Sequence, residues 1–196
     1  MSSQTPAPTV FPPRPPPPTP AQLTTNLRTC LTLQTTAVNQ HSKRPFYALL
    51  MGPDHSTILL THASISHVEH AESCLARLAA LHFSPAYLWS CTLYSTWEPC
   101  AMCAGTIYWA NIGRVVYAAS EEHLKRLTGE GNEDNFTMSL GCRVVLASGQ
   151  KDVQVFGPFH KAGAGAGEEG EGGQVTVGDE VVRVSDEFWK PIREAL

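Results

Sequence analysis

The sequence has no excess of basic residues and no long apolar run. Its 196 residues carry 14 Lys and Arg against 18 Asp and Glu, a formal net charge of −4. Proteins that bind nucleic acid usually carry clustered positive charge, so a nucleic-acid partner is not expected. No stretch of about 18 apolar residues is present to span a bilayer, so no membrane association is expected. The composition therefore favours a small-molecule substrate.

Cysteine is also sparse, with six residues in the chain. That number is too small for a disulfide scaffold, and the first twenty residues lack the apolar core of a secretory signal. We therefore expect a reducing compartment, the cytoplasm, with the nucleus as the alternative. In such a compartment a closely spaced cysteine pair is more typical of metal binding or catalysis than of a disulfide.

Proline and glycine divide the chain into parts of different character. Residues 1–20 contain nine prolines. Proline fixes the backbone and donates no N–H, so a disordered or polyproline II tail is predicted there, and its removal should leave activity unchanged. Residues 162–174 consist almost entirely of Gly, Ala and Glu, which predicts a flexible insertion. The rest of 21–196 is long enough for one compact domain.

Hydrophobic spacing predicts alternating helices and strands. Helices are expected at 21–39, 71–81, 101–110, 121–127 and 185–196, with Thr19-Pro20 capping the first. Strands are expected at 46–51, 57–61, 89–96, 114–118, 143–146 and 153–156. This order predicts an α/β domain with helices on both faces of a sheet.

Two short motifs carry the chemistry. His70-Ala71-Glu72 opens a predicted helix, and Cys100 and Cys103 lie where a strand meets a helix. Cysteines three residues apart at a helix start can hold one ion, and the helix N-terminus favours the thiolate. One imidazole and two thiolates give a zinc ion three ligands and leave its fourth position for water, as in catalytic zinc sites. Glu72 can then move protons between that water and a substrate.

Other interpretations of these motifs stay open. A structural zinc site would need a fourth protein ligand, which His67, Cys74 or Cys91 can supply. His67-Val68-Glu69 also repeats the H-x-E pattern three residues upstream. We favour His70, because Glu72 begins an amphipathic helix whereas Glu69 falls in the preceding loop.

Together, H-x-E and P-C-x-x-C form the signature of zinc deaminases, and the chain resembles the cytidine deaminase-like superfamily. The stretch from Cys91 to Tyr117 is most similar to guanine deaminases and related small nucleobase or nucleoside deaminases. The resemblance implies a three-layer α/β/α sandwich around a five-stranded mixed sheet, with a CMP/dCMP-type deaminase domain over 21–196. It implies the zinc ligands His70, Cys100 and Cys103, with Glu72 as proton shuttle. It also implies a homodimer, in which the C-terminal segment can close a partner's pocket.

The resemblance further points to residues around the substrate. Ala71 lies between ligand and acid, where its backbone N–H can contact the substrate. His62 stands near the position where relatives carry a base-binding asparagine, and Trp97 stands where relatives have a small residue, so that it can narrow the pocket. Trp109 follows Tyr108 in an aromatic pair that either encloses the ring or packs in the core or a dimer interface.

The predicted function is hydrolytic deamination of a free nucleobase or nucleoside, with a guanine-like purine favoured and ammonia released. The alternatives are a cytosine or cytidine deaminase, a tRNA adenosine deaminase, and a catalytically silent zinc-binding interaction protein. All of these share one predicted cofactor, Zn²⁺.

Overall fold

The structure, a computed structural model, describes residues 9–160 and 175–195. The strands are β1 (Tyr47–Met51), β2 (Ile58–Ala63), β3 (Thr92–Trp97), β4 (Arg114–Ala119) and β5 (Gln154–Phe156). The helices are α1 (Pro20–His41), α2 (Ala71–His82), α3 (Pro85–Leu88), α4 (Ala101–Trp109), α5 (Glu121–Thr128), α6 (Cys142–Ala147) and α7 (Val177–Arg193). No helix within the described ranges has the length and apolar character needed to cross a membrane.

The five strands form one mixed sheet in the order β2-β1-β3-β4-β5. β1 runs antiparallel to β2 and β3, whereas β3, β4 and β5 are parallel. Because β3 and β4 are adjacent and parallel, with Trp97 paired to Ala119, their carboxyl ends leave the sheet side by side. The segments that follow these two strands therefore meet at one edge, where ligand sites of α/β sheets commonly lie.

Each face of the sheet is covered by its own set of helices. Side chains alternate along a strand, so Leu49 and Met51 enter a core with α1, α5 and α7, while Ala48 and Leu50 enter a core with α2, α4 and α6. This arrangement confirms the predicted three-layer α/β/α sandwich with a central five-stranded mixed sheet.

The first helix begins where its sequence predicts. The Thr19 hydroxyl accepts the Gln22 N–H at 3.3 Å, and the Gln22 side chain accepts the Thr19 N–H at 2.9 Å. Pro20 occupies the first helical position, where its missing N–H costs nothing. This local chemistry fixes the boundary of α1.

Two of the predicted late elements are wrong. The strand expected at 143–146 is helix α6, because Cys142 and Leu146 are both buried at helical spacing while Val144 is exposed. The terminal helix expected to start at Ser185 begins at Val177. There Thr176 and Asp179 form a reciprocal capping box, with the Thr176 hydroxyl accepting the Asp179 N–H at 3.2 Å.

Part of the proline-rich segment, predicted as a disordered or polyproline II tail, is described by the structure without helix or strand. We call residues 9–18 the N-terminal strap, because they lie against the domain. Phe11 meets Trp89 edge-on with ring centroids 5.0 Å apart, and the Arg14 guanidinium lies 4.4 Å from the Trp89 ring centroid. Residues 1–8 and the predicted insertion at 162–174 lie outside the described residues.

Arg14 anchors the strap through hydrogen bonds that the proline pattern does not predict. Its guanidinium donates at 2.7 Å to the carbonyls of Gly113 and Asp152, and pairs with the Asp152 carboxylate at 2.5 Å. A Cβ added at Gly113 would lie 1.9 Å from the Trp89 carbonyl oxygen, so only glycine permits this close approach. Arg14 therefore binds the strap to the segments that immediately precede β4 and β5.

Substituting Arg14 tests this attachment. We expect Arg14→Ala to lower the free energy of unfolding by about 2–4 kcal/mol, because it removes charge-assisted hydrogen bonds and the contact with Trp89. Urea unfolding followed by tryptophan fluorescence measures the loss. The matched control is Arg28→Ala, whose side chain is 53% exposed in its ion pair with Glu180 and should contribute less than about 1 kcal/mol. Equal losses in the two variants would contradict the attachment.

Candidate metal centre

The three predicted ligands lie at the starts of two neighbouring helices. His70 is the N-cap residue of α2, Cys100 is the N-cap residue of α4, and Cys103 lies in the first turn of α4. Neither His70 nor Cys100 caps its helix with a side-chain hydrogen bond. Because α2 and α4 pack side by side on one face of the sheet, these uncommitted side chains converge.

The spacing of the donor atoms fits a tetrahedral zinc ion. The His70 Nδ1 atom lies 3.6 Å from the Sγ atoms of both Cys100 and Cys103. Ordinary Zn–N and Zn–S bond lengths at a tetrahedral angle give an N···S separation of about 3.6 Å. Within the described residues this is the group of three potential ligands whose atoms all lie within 4.8 Å of one another.

The protonation of the two thiols also favours a cation. The Cys103 thiol and the His70 ring hydrogen-bond to Cys100 and lower the pKa of Cys100 to about 4. The same pairing, together with burial, raises the pKa of Cys103, which keeps its proton. The protein alone thus ionises one thiol of the pair, and a divalent cation supplies the charge that allows both to ionise.

Glu72 lies beside the donor cluster as a buried carboxyl group. It is 5% exposed, and this burial raises its pKa. The Ser95 hydroxyl on β3 donates to its Oε1 at 2.7 Å, and the Cys103 thiol donates to its Oε2 at 3.5 Å. The Ser95 hydrogen bond therefore holds the Glu72 carboxyl group beside the donor atoms.

Two further carboxyl groups line the same pocket and were not predicted. Glu98 is 8% exposed and accepts the backbone N–H groups of Glu121 at 3.2 Å and Cys142 at 2.9 Å. Glu121 is 6% exposed, and burial and the acidic neighbours Cys100, Glu72 and Glu98 raise its pKa to about 9. The Glu98-Pro99 pair next to Cys100 is the only sequence signal that pointed to either residue.

The rim of the pocket joins segments from distant parts of the chain. Arg44 pairs with the Asp134 carboxylate at 3.2 Å, and its guanidinium lies 3.2 Å from the His67 ring nitrogen. His67 therefore faces Arg44 at the rim and lies outside the three-ligand group. Glu69 lies in the loop before α2, as expected, where its carbonyl accepts the Ile65 N–H.

The structure distributes the four predicted substrate residues unevenly. Trp97 lines the pocket, and its indole N–H donates to the Ser185 hydroxyl on α7 at 3.3 Å. Ala71 is fully buried beneath the site. His62 lies on β2 with its Nδ1 atom 2.6 Å from the Ala63 carbonyl, and is not among the pocket residues described. Trp109 is 80% exposed at the far end of α4.

Comparison with known proteins agrees with this fold and ligand set. The family model described as the cytidine and deoxycytidylate deaminase zinc-binding region matches residues 21–119, and the chain belongs to this family. A guanine deaminase of Bacillus subtilis is 34% identical over 116 residues, which cover 57% of this chain and 72% of that protein.

Two further comparisons extend the picture. A Schizosaccharomyces pombe protein named probable cytosine deaminase is 38% identical over 69 residues, which cover 35% of this chain and only 42% of the yeast protein's length. A solved guanine deaminase from Nitrosomonas europaea superposes with a TM-score of 0.57 at 15% identity, covering 96% of this chain and all of that one. The latter match shows that the fold is shared. The cofactor of the family is zinc, and the donor set described here fits it.

Zinc analysis of single variants tests the ligand set. We expect Cys100→Ser to lose the metal and to unfold at lower temperature, because metal binding and folding are coupled at such sites. Metal content per chain and thermal unfolding are the measurements. His67→Ala and Cys74→Ser are the matched controls, since each removes an alternative ligand, and both should retain one zinc per chain. A Cys100→Ser protein that keeps its full zinc would refute the assignment.

Proposed function

We propose that the protein is a zinc-dependent hydrolytic deaminase of a free nucleobase or nucleoside, with a guanine-like purine favoured. The observation that carries this proposal is the position of Glu72. Its carboxyl group is buried beside three zinc-type donor atoms and is aligned by Ser95 at the floor of a pocket. A structural zinc site has no need of a buried, oriented carboxyl group next to its ligands.

The residues of the site have distinct roles in this proposal. His70, Cys100 and Cys103 hold the zinc ion, which when bound supplies a Lewis acid that ionises water near neutral pH. Water adds to the ring carbon that bears the amino group, the C–N bond breaks, and ammonia leaves. Glu72 takes one proton from the water and delivers it to the ring nitrogen; it then takes the proton of the added hydroxyl group and delivers it to the leaving amine, as the C–N bond breaks and the carbonyl forms. Ser95 keeps the carboxyl group aimed at that position throughout.

The choice among substrates is supported by charge and by the relatives. The Bacillus relative is named for guanine, which supports a purine, and the fission-yeast relative is named for cytosine, which keeps pyrimidines as the second candidate. A tRNA substrate is disfavoured, because the formal charge of −4 gives no electrostatic attraction to a stem-loop. A silent zinc-binding protein is disfavoured by the orientation of Glu72.

Ammonia release by the zinc-loaded protein tests the activity. The panel holds guanine, adenine, cytosine, their nucleosides and a tRNA anticodon stem-loop. We expect turnover of at least one free base or nucleoside, and a decrease of about 10²–10⁴-fold in Glu72→Gln with zinc retained. Turnover of the stem-loop alone would redirect the assignment to RNA, and a fully active Glu72→Gln protein would exclude the mechanism.

We also propose that the protein works in a reducing compartment such as the cytoplasm, as a homodimer. All six cysteines are free thiols, as the thiolate ligands require.

On α4, Trp109 is 80% exposed and Met102 is 40% exposed on the same side of the helix. A Cβ placed at Gly105 between them would touch nothing, so this face can accept a close neighbour. We call Met102, Gly105 and Trp109 the α4 face.

A charged substitution on the α4 face tests the dimer. We expect Trp109→Glu to shift the mass in solution from dimer to monomer, because a desolvated charge at the centre of an interface is strongly unfavourable. Sedimentation equilibrium measures the mass. Phe136→Glu is the matched control, since Phe136 is 73% exposed in a loop away from α4. A wild-type protein that stays monomeric at high concentration would refute the dimer.

A further inference from the structure

The pocket contains a carboxyl group for which neither the metal nor the proton shuttle provides a use. Glu121 lines the same pocket as His70, Glu72 and Cys100, and is 6% exposed. Its carboxyl oxygens make no hydrogen bond to any residue in ranges 9–160 and 175–195, whereas Glu72 is held by Ser95. A carboxyl group that lines the pocket and has no protein partner is available to bond to a molecule bound there.

The backbone around Glu121 is held in place by hydrogen bonds, so the side chain begins from a defined position at the pocket. Its own N–H is bound to the Glu98 carboxylate, and the preceding Ser120 caps α5 by accepting the His123 N–H at 3.2 Å. Glu98 is held in turn by the Cys142 N–H. A Cβ at Gly141 would lie 2.6 Å from the Glu98 carboxylate, so glycine there preserves this support.

A simpler role for an acid at the start of a helix is to complement the helix dipole. Glu122, the next residue of α5, does so while exposed to solvent. Glu121 is instead buried near the carboxyl groups of Glu72 and Glu98 and the thiol of Cys100, all of which repel a negative charge. Interaction with the dipole does not require that location, so it does not account for Glu121.

We propose that Glu121 is a substrate-binding residue that hydrogen-bonds a ring N–H on an edge of the substrate other than the leaving amino group. This inference rests on the proposed deaminase function. A carboxyl group accepts hydrogen bonds in both of its protonation states and donates one only when protonated, so an N–H donor on a heterocycle is the group that pairs with it in either state. The substrate class is therefore an aminated heterocycle that carries at least one ring N–H.

This class divides the candidate substrates by chemistry. Guanine, guanosine and cytosine each carry a ring N–H, as does adenine. Cytidine and adenosine carry none, because the sugar replaces the only ring N–H and the other ring nitrogens are acceptors. A site built around a hydrogen bond to a donor discriminates strongly against an analogue that lacks it, because the protein group is then left unpaired. Adenosine within a tRNA is excluded on the same ground.

The experiment compares Glu121→Ala, Glu121→Gln and the control Glu122→Ala in the zinc-loaded full-length protein. For the base that the wild type turns over, we expect Glu121→Ala to raise KM by about 10- to 100-fold. The KM of Glu121→Gln should lie between those of the wild type and Glu121→Ala. Glu122→Ala should stay within about twofold. We expect the Tm of Glu121→Gln to equal or exceed that of the wild type, because the neutral amide has nearly the shape of the carboxyl group and cannot ionise beside the buried acidic groups.

Methylated bases identify the contact itself. Methylating the ring N–H that Glu121 binds should strongly weaken binding of the base to the wild type and hardly change its binding to Glu121→Ala. A purely structural residue does not produce this non-additivity. The probes are guanine or cytosine and their singly N-methylated forms, measured by KM for turnover and by calorimetry on the zinc-loaded Glu72→Gln protein with and without Glu121→Ala.

The possible outcomes separate this inference from the proposed function. Intact turnover with an unchanged KM in Glu121→Ala overturns the inference and leaves the deaminase standing, and a lowered Tm in that case identifies a helix-capping role. A second outcome is that no base is turned over, but a base still binds to the wild-type and Glu72→Gln proteins and binds less tightly when Glu121→Ala is present. That outcome supports the inference and overturns the deaminase function. Absence of both turnover and ring binding overturns both.

Discussion

The Glu98 carboxylate is the point on which the pocket depends. It ends β3 two residues before Cys100, and its two oxygens accept the N–H groups at the starts of α5 and α6. Helix N-terminal N–H groups have no partner within their own helices, so a single buried carboxylate satisfies two helices at once. The position of Cys100, the direction of α5 and the placement of Glu121 are thereby fixed to the edge of the sheet.

The sheet topology explains why the chemistry collects at this edge. Because β3 and β4 are adjacent and parallel, the segments that follow them lie side by side at one edge of the sheet. β1 runs antiparallel to β3, so Arg44 and Phe46, which precede β1, lie at the same edge. The second layer of helices then adds α2 with His70 and Glu72. These four segments and the loop that carries Asn135 line one pocket, and none of them provides a complete site alone.

The parts that the sequence predicted are those encoded by local chemistry. Cap residues indicated the start of α1, because that boundary depends on neighbours within a few residues. The convergence of His70 with Cys100, which are 30 residues apart, was predicted instead from the paired motifs and their resemblance to zinc deaminases. The β-branched Val144 and Val145 favoured a strand, but burial of Cys142 and Leu146 at helical spacing overrode that propensity.

Features that depend on tertiary contacts were not accessible in this way. The roles of Ser95 and Glu121 depend on contacts with residues more than twenty positions away in the sequence. Arg14 likewise finds its partner Asp152 138 residues along the chain, so the proline pattern of its own segment indicated only an extended backbone. Such separations leave no periodicity or spacing in the sequence.

That same separation has a consequence for the order of events on the ribosome. The N-terminal strap is synthesised well before its partner, and Arg14 cannot dock until Asp152 has emerged. Trp97 in the pocket wall lacks its hydrogen-bond partner until Ser185 follows. The three zinc ligands therefore emerge before the surroundings of their site are complete. Contacts of long sequence separation form late and leave the unfinished domain exposed to misassembly. For this fold, the wall of the pocket is completed only after α7 has been synthesised.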